Sequence, residues 1–392
     1  MPTAPTPPTR TASTPEPLDA LELLSGDAQT FLESVWASRV HTHDAEPDDR
    51  VGLLSLDDVD HLITSTALRT PALRVVKDGS ILPSSRFTRS GSIGGSPLTG
   101  LVDPRKVMTL FGEGATLVLQ GLHRYWPPLT DLVRGLELQL GHPCQANAYL
   151  TPPESQGFAR HTDTHDVFVF QTHGRKVWTI VDGGDERDLE LVPGLCVYLP
   201  TGTPHSARSE AEPSLHVTIG INRVTWRQLL RQLADGVLAD PAFDAPVPAG
   251  YPGERHRLAG PLADRLADFA KGIGKLDPEV VTDEKVSRFL SERTPSLRGA
   301  LDDLVAMAHL DDSTWLSRRP TAVCVLRPEG ERLRVLLGDR ELSMPSRLGG
   351  AMGFVRDHPQ LRVGDLAPWL DPESRLVVAR RLVREGLLRI SP

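Results

Sequence analysis

The chain has 392 residues, 39% of them hydrophobic and 24% charged, with 51 acidic side chains against 43 basic ones and a net charge of −8. That length exceeds one ordinary core and calls for two or three domains, while the acidic balance argues against a general nucleic-acid binder, whose surface carries a basic surplus. No apolar run approaches the roughly 18 residues of a membrane span, and three sparse cysteines, Cys144, Cys196 and Cys324, suit neither a disulfide framework nor a cysteine metal site and fit a reducing cytoplasm.

In chain order, the opening "MPTAPTPPTRTASTPEP" is rich in Pro and Thr, lacks the apolar core of a signal peptide and has too little to bury. Residues 1–18 read as a flexible tail. A first domain, 19–224, begins with helical spacing in "PLDALELLSGDAQTFLESVW" and again in "PPLTDLVRGLELQLG". Short β-rich runs follow, broken by Gly and Pro: "QANAYLT", "DVFVFQT", "KVWTIVDG", "DLELVPG", "LCVYLPTG" and "SLHVTIGI". Many short strands with turn residues between them predict an antiparallel sandwich or barrel. Over 225–300 the strands stop and capped helices take over, with Trp226, Leu229, Leu230 and Leu233 spaced to form one face. Over 301–392 the pattern predicts a hairpin in "VCVLRPEGERLRVLLGDREL". Three short helices follow, in "PSRLGGAMGFVRDH", "VGDLAPWL" and "DPESRLVVARRLVREGLLRI".

The polar residues that interrupt the β-rich runs carry the chemistry. In "SQGFARHTDTHDVFVFQTHGRKVW", a strand that starts early places His161 and Asp163 on one face, because residues two apart share a face. An imidazole and a carboxylate so placed bind one metal if a third ligand arrives, and "GLCVYLPTGTPHSA" brings His205 after a Gly/Pro turn. Two histidines and a carboxylate on one side of a metal leave positions open, as non-haem iron(II) oxygenases require. Periodicity alone does not choose between His161 and His165, since Asp163 and His165 have the same spacing. His216, in "SLHVTIGI", rivals His205 for the third position.

As an ordered set, "GFARHTDTHDVFVFQTHGRKVW", "GLCVYLPTGTPHSA" and "SLHVTIGI" resemble the JmjC/cupin oxygenases of the ribosomal oxygenase group. The resemblance implies an α+β chain. A double-stranded β-helix of the cupin, jelly-roll or JmjC type comes first, then a helical dimerisation segment over 225–300 and a C-terminal winged-helix domain over 301–392. It implies a hydroxylase dependent on iron(II) and 2-oxoglutarate that consumes dioxygen and acts on a residue of a ribosomal protein. The family's metal ligands fall on His161, Asp163 and His205. Its basic residue for the far carboxylate of 2-oxoglutarate falls on Lys176, its hydroxyl partner on Tyr149, with Asn147 on the same strand face. Arg160, Ser206 and His216 are the expected substrate-lining positions, His216 as a support inside the barrel.

The sequence departs from the family's pattern at three places. Ala159-Arg160 replaces the usual glycine-proline before the first ligand, Pro200-Thr201-Gly202 forms the turn before His205, and Ser206 follows it; these bear on substrate choice and remove no ligand. Nucleic-acid binding by the winged helix is not expected, because residues 301–392 hold 14 Arg and Lys against 13 Asp and Glu. A homodimer through the helical segment is expected, since an isolated insert would leave its apolar face in water. Two other readings stand beside the ribosomal one: a hydroxylase that tailors a natural-product peptide precursor, and a non-catalytic metal-binding cupin that regulates.

Overall fold

The structure, a computed structural model, describes residues 19–46, 50–155, 159–294 and 297–391. The tail expected over 1–18 lies outside them. The chain divides into two compact units, Met1–Arg223 and Val224–Pro392, each described here by itself. Among the described residues no helix is long and apolar enough to cross a membrane.

The first unit contains β1 (His41–Asp44), β2 (Leu73–Lys77), β3 (Ser80–Ile81), β4 (Thr88–Ile93), β5 (Ser96–Val102), β6 (Thr116–Leu119) and β7 (Cys144–Thr151). These are followed by β8 (Asp166–His173), β9 (Lys176–Asp182), β10 (Asp185–Leu191), β11 (Leu195–Leu199), β12 (His205–Ser209) and β13 (Ser214–Ile221). A large sheet runs in the order β1-β11-β8-β13-β7-β6-β2-β3, a small one in the order β10-β9-β12, and β4 pairs with β5 as a separate hairpin.

Alternation explains why the two sheets face each other. In β8, Phe168 and Phe170 join the core shared with the helices Ala20–Ser25 and Pro127–Leu140, while Val167 and Val169 turn to the other face. There they meet Trp178 and Ile180 of β9, Leu191 of β10, and Val197 and Leu199 of β11. Each fully buried Phe contributes roughly 1.5–3 kcal/mol by leaving water. The same division runs through β7, β13, β6 and β2. Ala146, Ala148, Leu150, Leu215, Val217, Leu117 and Val75 face the helices, and the residues between them face the small sheet.

The expectation that one strand carries both His161 and Asp163 is corrected. β8 begins at Asp166, and His161 is held instead by an isolated bridge to His205. The pair is positioned by the neighbouring ligand strand rather than by pleat alternation.

In the second unit the helices Trp226–Leu238, His256–Ile273 and Pro278–Ser291 contain no buried residue. Thr225 caps the first through a capping box with Gln228. Trp226 is 77% exposed and Leu230 58%, while Leu229 and Leu233 are half-buried. Beyond them lie β14 (Trp315–Arg318), β15 (Val325–Glu329), β16 (Arg332–Leu336), β17 (Glu341–Pro345), β18 (Gln360–Arg362) and β19 (Leu388–Ile390). They form the sheets β18-β14-β19 and β15-β16-β17, so the expected hairpin gains a third strand.

Two expected helices in this unit differ. "VGDLAPWL" forms only the 3-10 turn Val363–Leu366. The last helix, Pro372–Arg384, stops short of Ile390, because Gly386 takes a left-handed φ of 79° and the chain turns into β19.

Candidate functional site

His161, Asp163 and His205 each offer one ligand atom, and these atoms lie within 4.8 Å of one another. One carboxylate oxygen of Asp163 is 3.9 Å from His161 Nε2 and the other 3.7 Å from His205 Nε2. The two histidines exchange backbone bonds, His161 N–H to His205 O at 3.0 Å and the reverse at 2.9 Å, and the Gly202 N–H donates to Asp163 O at 3.0 Å. Each imidazole donates from Nδ1 to a backbone carbonyl, His161 to Ala159 at 2.8 Å and His205 to Thr203 at 3.0 Å. A carbonyl only accepts, so the neutral ring has its lone pair on Nε2, facing the common point. Burial holds the His205 imidazole below its ordinary value, which keeps that lone pair available near neutrality.

The three ligands sit at one end of a cavity of roughly 260 Å³ between the sheets. At its other end is Lys176, the first residue of β9, only 2% exposed. Its ammonium donates to Thr151 Oγ1 at 2.8 Å, and Thr116 donates to the same hydroxyl at 3.3 Å. Burial pushes the Lys176 ammonium down to about 7, because one neutral partner replaces little of its lost hydration.

Tyr149 lines the same wall, its phenol raised by burial. His216 stacks on it at 4.9 Å with ring planes 3° apart. Burial and the Lys176 charge hold the His216 imidazole well below its ordinary value, so it is neutral. Trp178 lies over His205 at 5.5 Å and meets His216 edge-on at 5.4 Å.

Two donors and one imidazole nitrogen here have no partner. Trp178 Nε1, His216 Nδ1 and Arg74 Nε are buried with no hydrogen-bond partner. A buried unsatisfied donor costs about 1–3 kcal/mol, so a cavity edged by them is built for something rich in acceptor oxygens. The metal end suits a divalent cation bound by two imidazoles and a carboxylate with positions open toward the cavity. The lysine end suits a carboxylate.

Other expected residues lie elsewhere. His165 is outside the cluster; its ring rests on Gly220, where a Cβ would come within 2.8 Å of it. Asn147 shares a strand face with Tyr149, but its Oδ1 accepts from the Gly121 N–H at 3.0 Å and it does not line the cavity. Arg160 is at the surface, paired with Glu186 at 2.7 Å. Ser206 points the other way from His205, into a neighbouring shallow cleft with Thr179 and Arg208. His216 lies inside, against Tyr149, apart from the ligand cluster.

Sequence reasoning missed Arg74, Thr116, Thr151 and Asp166. Asp166 is fully buried. It accepts from Tyr198 Oη, from Thr201 N at 2.8 Å and Oγ1 at 2.6 Å, and from Arg223 Nε at 3.1 Å. It clamps the turn that delivers His205. A charged residue opening an otherwise apolar strand was the available signal.

Comparisons with known proteins agree with this geometry. Residues 134–188 match the JmjC domain family. Ribosomal oxygenase 1 of Rattus norvegicus is 32% identical over 353 residues, 73% of this chain and 59% of that protein. The bifunctional lysine-specific demethylase and histidyl-hydroxylase NO66 of Drosophila willistoni is 32% identical over 162 residues, 36% of this chain and 21% of that protein. The chain thus spans less than two thirds of the length of these relatives. The solved structure of YcfD, a ribosomal oxygenase from Escherichia coli in complex with cobalt and 2-oxoglutarate, is 19% identical. It superposes with a TM-score of 0.53 over 94% of this chain and 99% of that one, a likeness of fold.

Proposed function

We propose that this chain, whose residues 134–188 match the JmjC domain family and which is similar to ribosomal oxygenase 1, is an iron(II)- and 2-oxoglutarate-dependent hydroxylase of a polypeptide residue, with a ribosomal protein as substrate. The observation that carries this reading is one cavity with His161, Asp163 and His205 at one end and the buried Lys176 at the other.

His161, Asp163 and His205 would hold the iron, and Lys176 and Tyr149 the far carboxylate of 2-oxoglutarate. The bound iron and cosubstrate supply dioxygen activation and the oxidising power for hydroxylation, with succinate and carbon dioxide as coproducts. The protein's share is orientation and the exclusion of water. The Nδ1–H bonds of both histidines fix ring and tautomer before metal arrives. Lys176 and Thr151 set the depth at which the cosubstrate stops. Trp178 and His216 wall the cavity with flat rings. Arg160, at the rim, is a candidate contact for the substrate chain, and Ser206 in the adjacent cleft another.

The same reading divides the chain into a catalytic domain (19–224), a helical dimerisation segment (225–300) and a winged-helix domain (301–392), acting as a cytoplasmic homodimer. Exposed Trp226, Leu230 and Leu266, at 77%, 58% and 59%, support a partner for the helices, since apolar area of this kind is rarely left in water. The small α/β core beyond 301, with two three-stranded sheets, supports the winged-helix assignment.

The test is succinate formation from 2-oxoglutarate by the iron-loaded full-length protein. It should depend on added polypeptide and be accompanied by one oxygen atom's gain in substrate mass. Polypeptide that gains no oxygen would contradict the proposal.

A further inference from the structure

The cavity holds a cation that the assigned residues do not use. Arg74 lies on β2, opposite Val118 of β6; Val118 is opposite Tyr149 of β7, and Tyr149 opposite His216 of β13. Residues directly opposite share a face, so Arg74, Tyr149 and His216 form one row along the cavity wall. Two strand spacings, roughly 10 Å, separate the Arg74 and Tyr149 backbones, within the joint reach of a guanidinium and a phenol. The Arg74 charge is felt at the Tyr149 hydroxyl, opposing the effect of burial there.

Arg74 has no carboxylate partner among the described residues, and its Nε is buried without a hydrogen bond. The groups that titrate or carry charge around this cavity are Arg74 on β2, Tyr149 on β7, Lys176 on β9, His205 on β12, His216 on β13, and His161 with Asp163 before β8. Arg74 and Lys176, besides the three imidazoles, therefore face a single carboxylate, Asp163, and that carboxylate sits at the metal end. A divalent metal would add to the excess. A dianion offsets most of it, and a carboxylate between Lys176 and Tyr149 would meet the unpartnered guanidinium.

We propose that Arg74 is a second anchoring cation for the far carboxylate of the cosubstrate, acting beside Lys176 through Tyr149's side of the wall. The inference rests on the function proposed above. An arginine stays charged at every physiological pH, whereas a desolvated lysine does not. Arg74 therefore keeps the cavity competent for an anion under conditions in which Lys176 gives up its proton. Its planar fork also suits a carboxylate better than a point charge does.

The experiment is a calorimetric titration of 2-oxoglutarate into the zinc-loaded, catalytically silent full-length protein at pH 6.5 and 8.5, for wild type, Arg74→Gln and Arg74→Lys. Metal binding by each variant, followed separately, reports an intact site. Wild-type affinity should change only a few-fold between the two pH values. Arg74→Gln should bind more weakly at pH 6.5 and lose about a further tenfold at pH 8.5, where only a few per cent of a lysine titrating near 7 is charged. Arg74→Lys should recover part of the loss at pH 6.5. Arg74→Gln with wild-type affinity at both pH values overturns this inference and leaves the proposed function standing. Wild type with no affinity for 2-oxoglutarate at either pH overturns both.

Discussion

The Asp166 carboxylate accepts from both the N–H and the hydroxyl of Thr201, at 2.8 and 2.6 Å. This ties the first residue of β8 to the turn four residues before His205. On the other side of that turn, Gly202 N–H donates to Asp163 O. The two segments that carry the three ligands are thus laced together by protein alone.

Asp166→Asn should therefore weaken metal binding about 10–100-fold, the usual cost of losing a partner that orients ligands. It should also destabilise the first unit by roughly 3 kcal/mol, because Arg223 and Tyr198 lose a buried charged acceptor. Zinc competition with a chromophoric chelator, set beside thermal melting, checks both. Unchanged metal affinity would mean the turn holds without the clamp.

Single substitutions should separate ligands from bystanders. His161→Ala and Asp163→Ala should abolish tight iron binding and turnover while the melting temperature of the metal-free protein stays within a few degrees. His165→Ala should keep the metal, since its ring packs on Gly220 away from the cluster. Metal content by mass spectrometry of purified protein decides it; loss in His165→Ala with retention in His161→Ala would reverse the assignment.

Lys176 costs stability when the cavity holds no anion. Its folded value is pushed down to about 7, whereas an unfolded lysine titrates near 10.4. Between these values the unfolded chain binds more protons, so stability rises with pH across that window, and the full penalty is present below 7. Lys176→Met should therefore be more stable than wild type by roughly 4–5 kcal/mol at pH 6, with the gap closing toward pH 10, and should lose affinity for 2-oxoglutarate. Melting curves at the two pH values test it; a variant less stable than wild type at pH 6 would show that the ammonium is well solvated.

The helices over 225–300 should mediate a dimer. Trp226→Glu with Leu230→Glu should convert a species of twice the chain mass into one of 42.8 kDa on light scattering at micromolar concentration. A wild-type protein already at the single-chain mass would rule the dimer out.

How legible the site was depended on whether its residues broke a pattern. Lys176 and Tyr149 were legible only through the resemblance to a known family, since a lysine beside a glycine turn and a tyrosine in a β-rich run are ordinary by pattern alone. His161 and Asp163 were spaced as strand neighbours, yet they lie before β8, and a backbone bridge to His205 holds them. Nothing in the one-dimensional pattern could reveal a bridge between segments more than 40 residues apart. Arg74 was illegible for the same reason: its partner row spans four strands, and only sheet order places β2 beside β6, which pairs in turn with β7. Thr151 and Asn147 sit on the same face of β7, and only the tertiary contacts decide that the threonine meets Lys176 while the asparagine bonds Gly121. The end of the last helix was missed because Gly386 reads as a minor interruption until its left-handed φ is seen.

One assay bears on the whole proposal. Iron-loaded full-length protein is incubated with 2-oxoglutarate, air and a mixture of ribosomal proteins, and both succinate and the intact masses of the ribosomal proteins are measured, with Asp163→Ala as the control. The expected result is succinate formed in step with a single ribosomal protein gaining one oxygen atom, and neither product with Asp163→Ala. The contradicting result is that no polypeptide gains oxygen, or that the wild type and Asp163→Ala form succinate at the same rate.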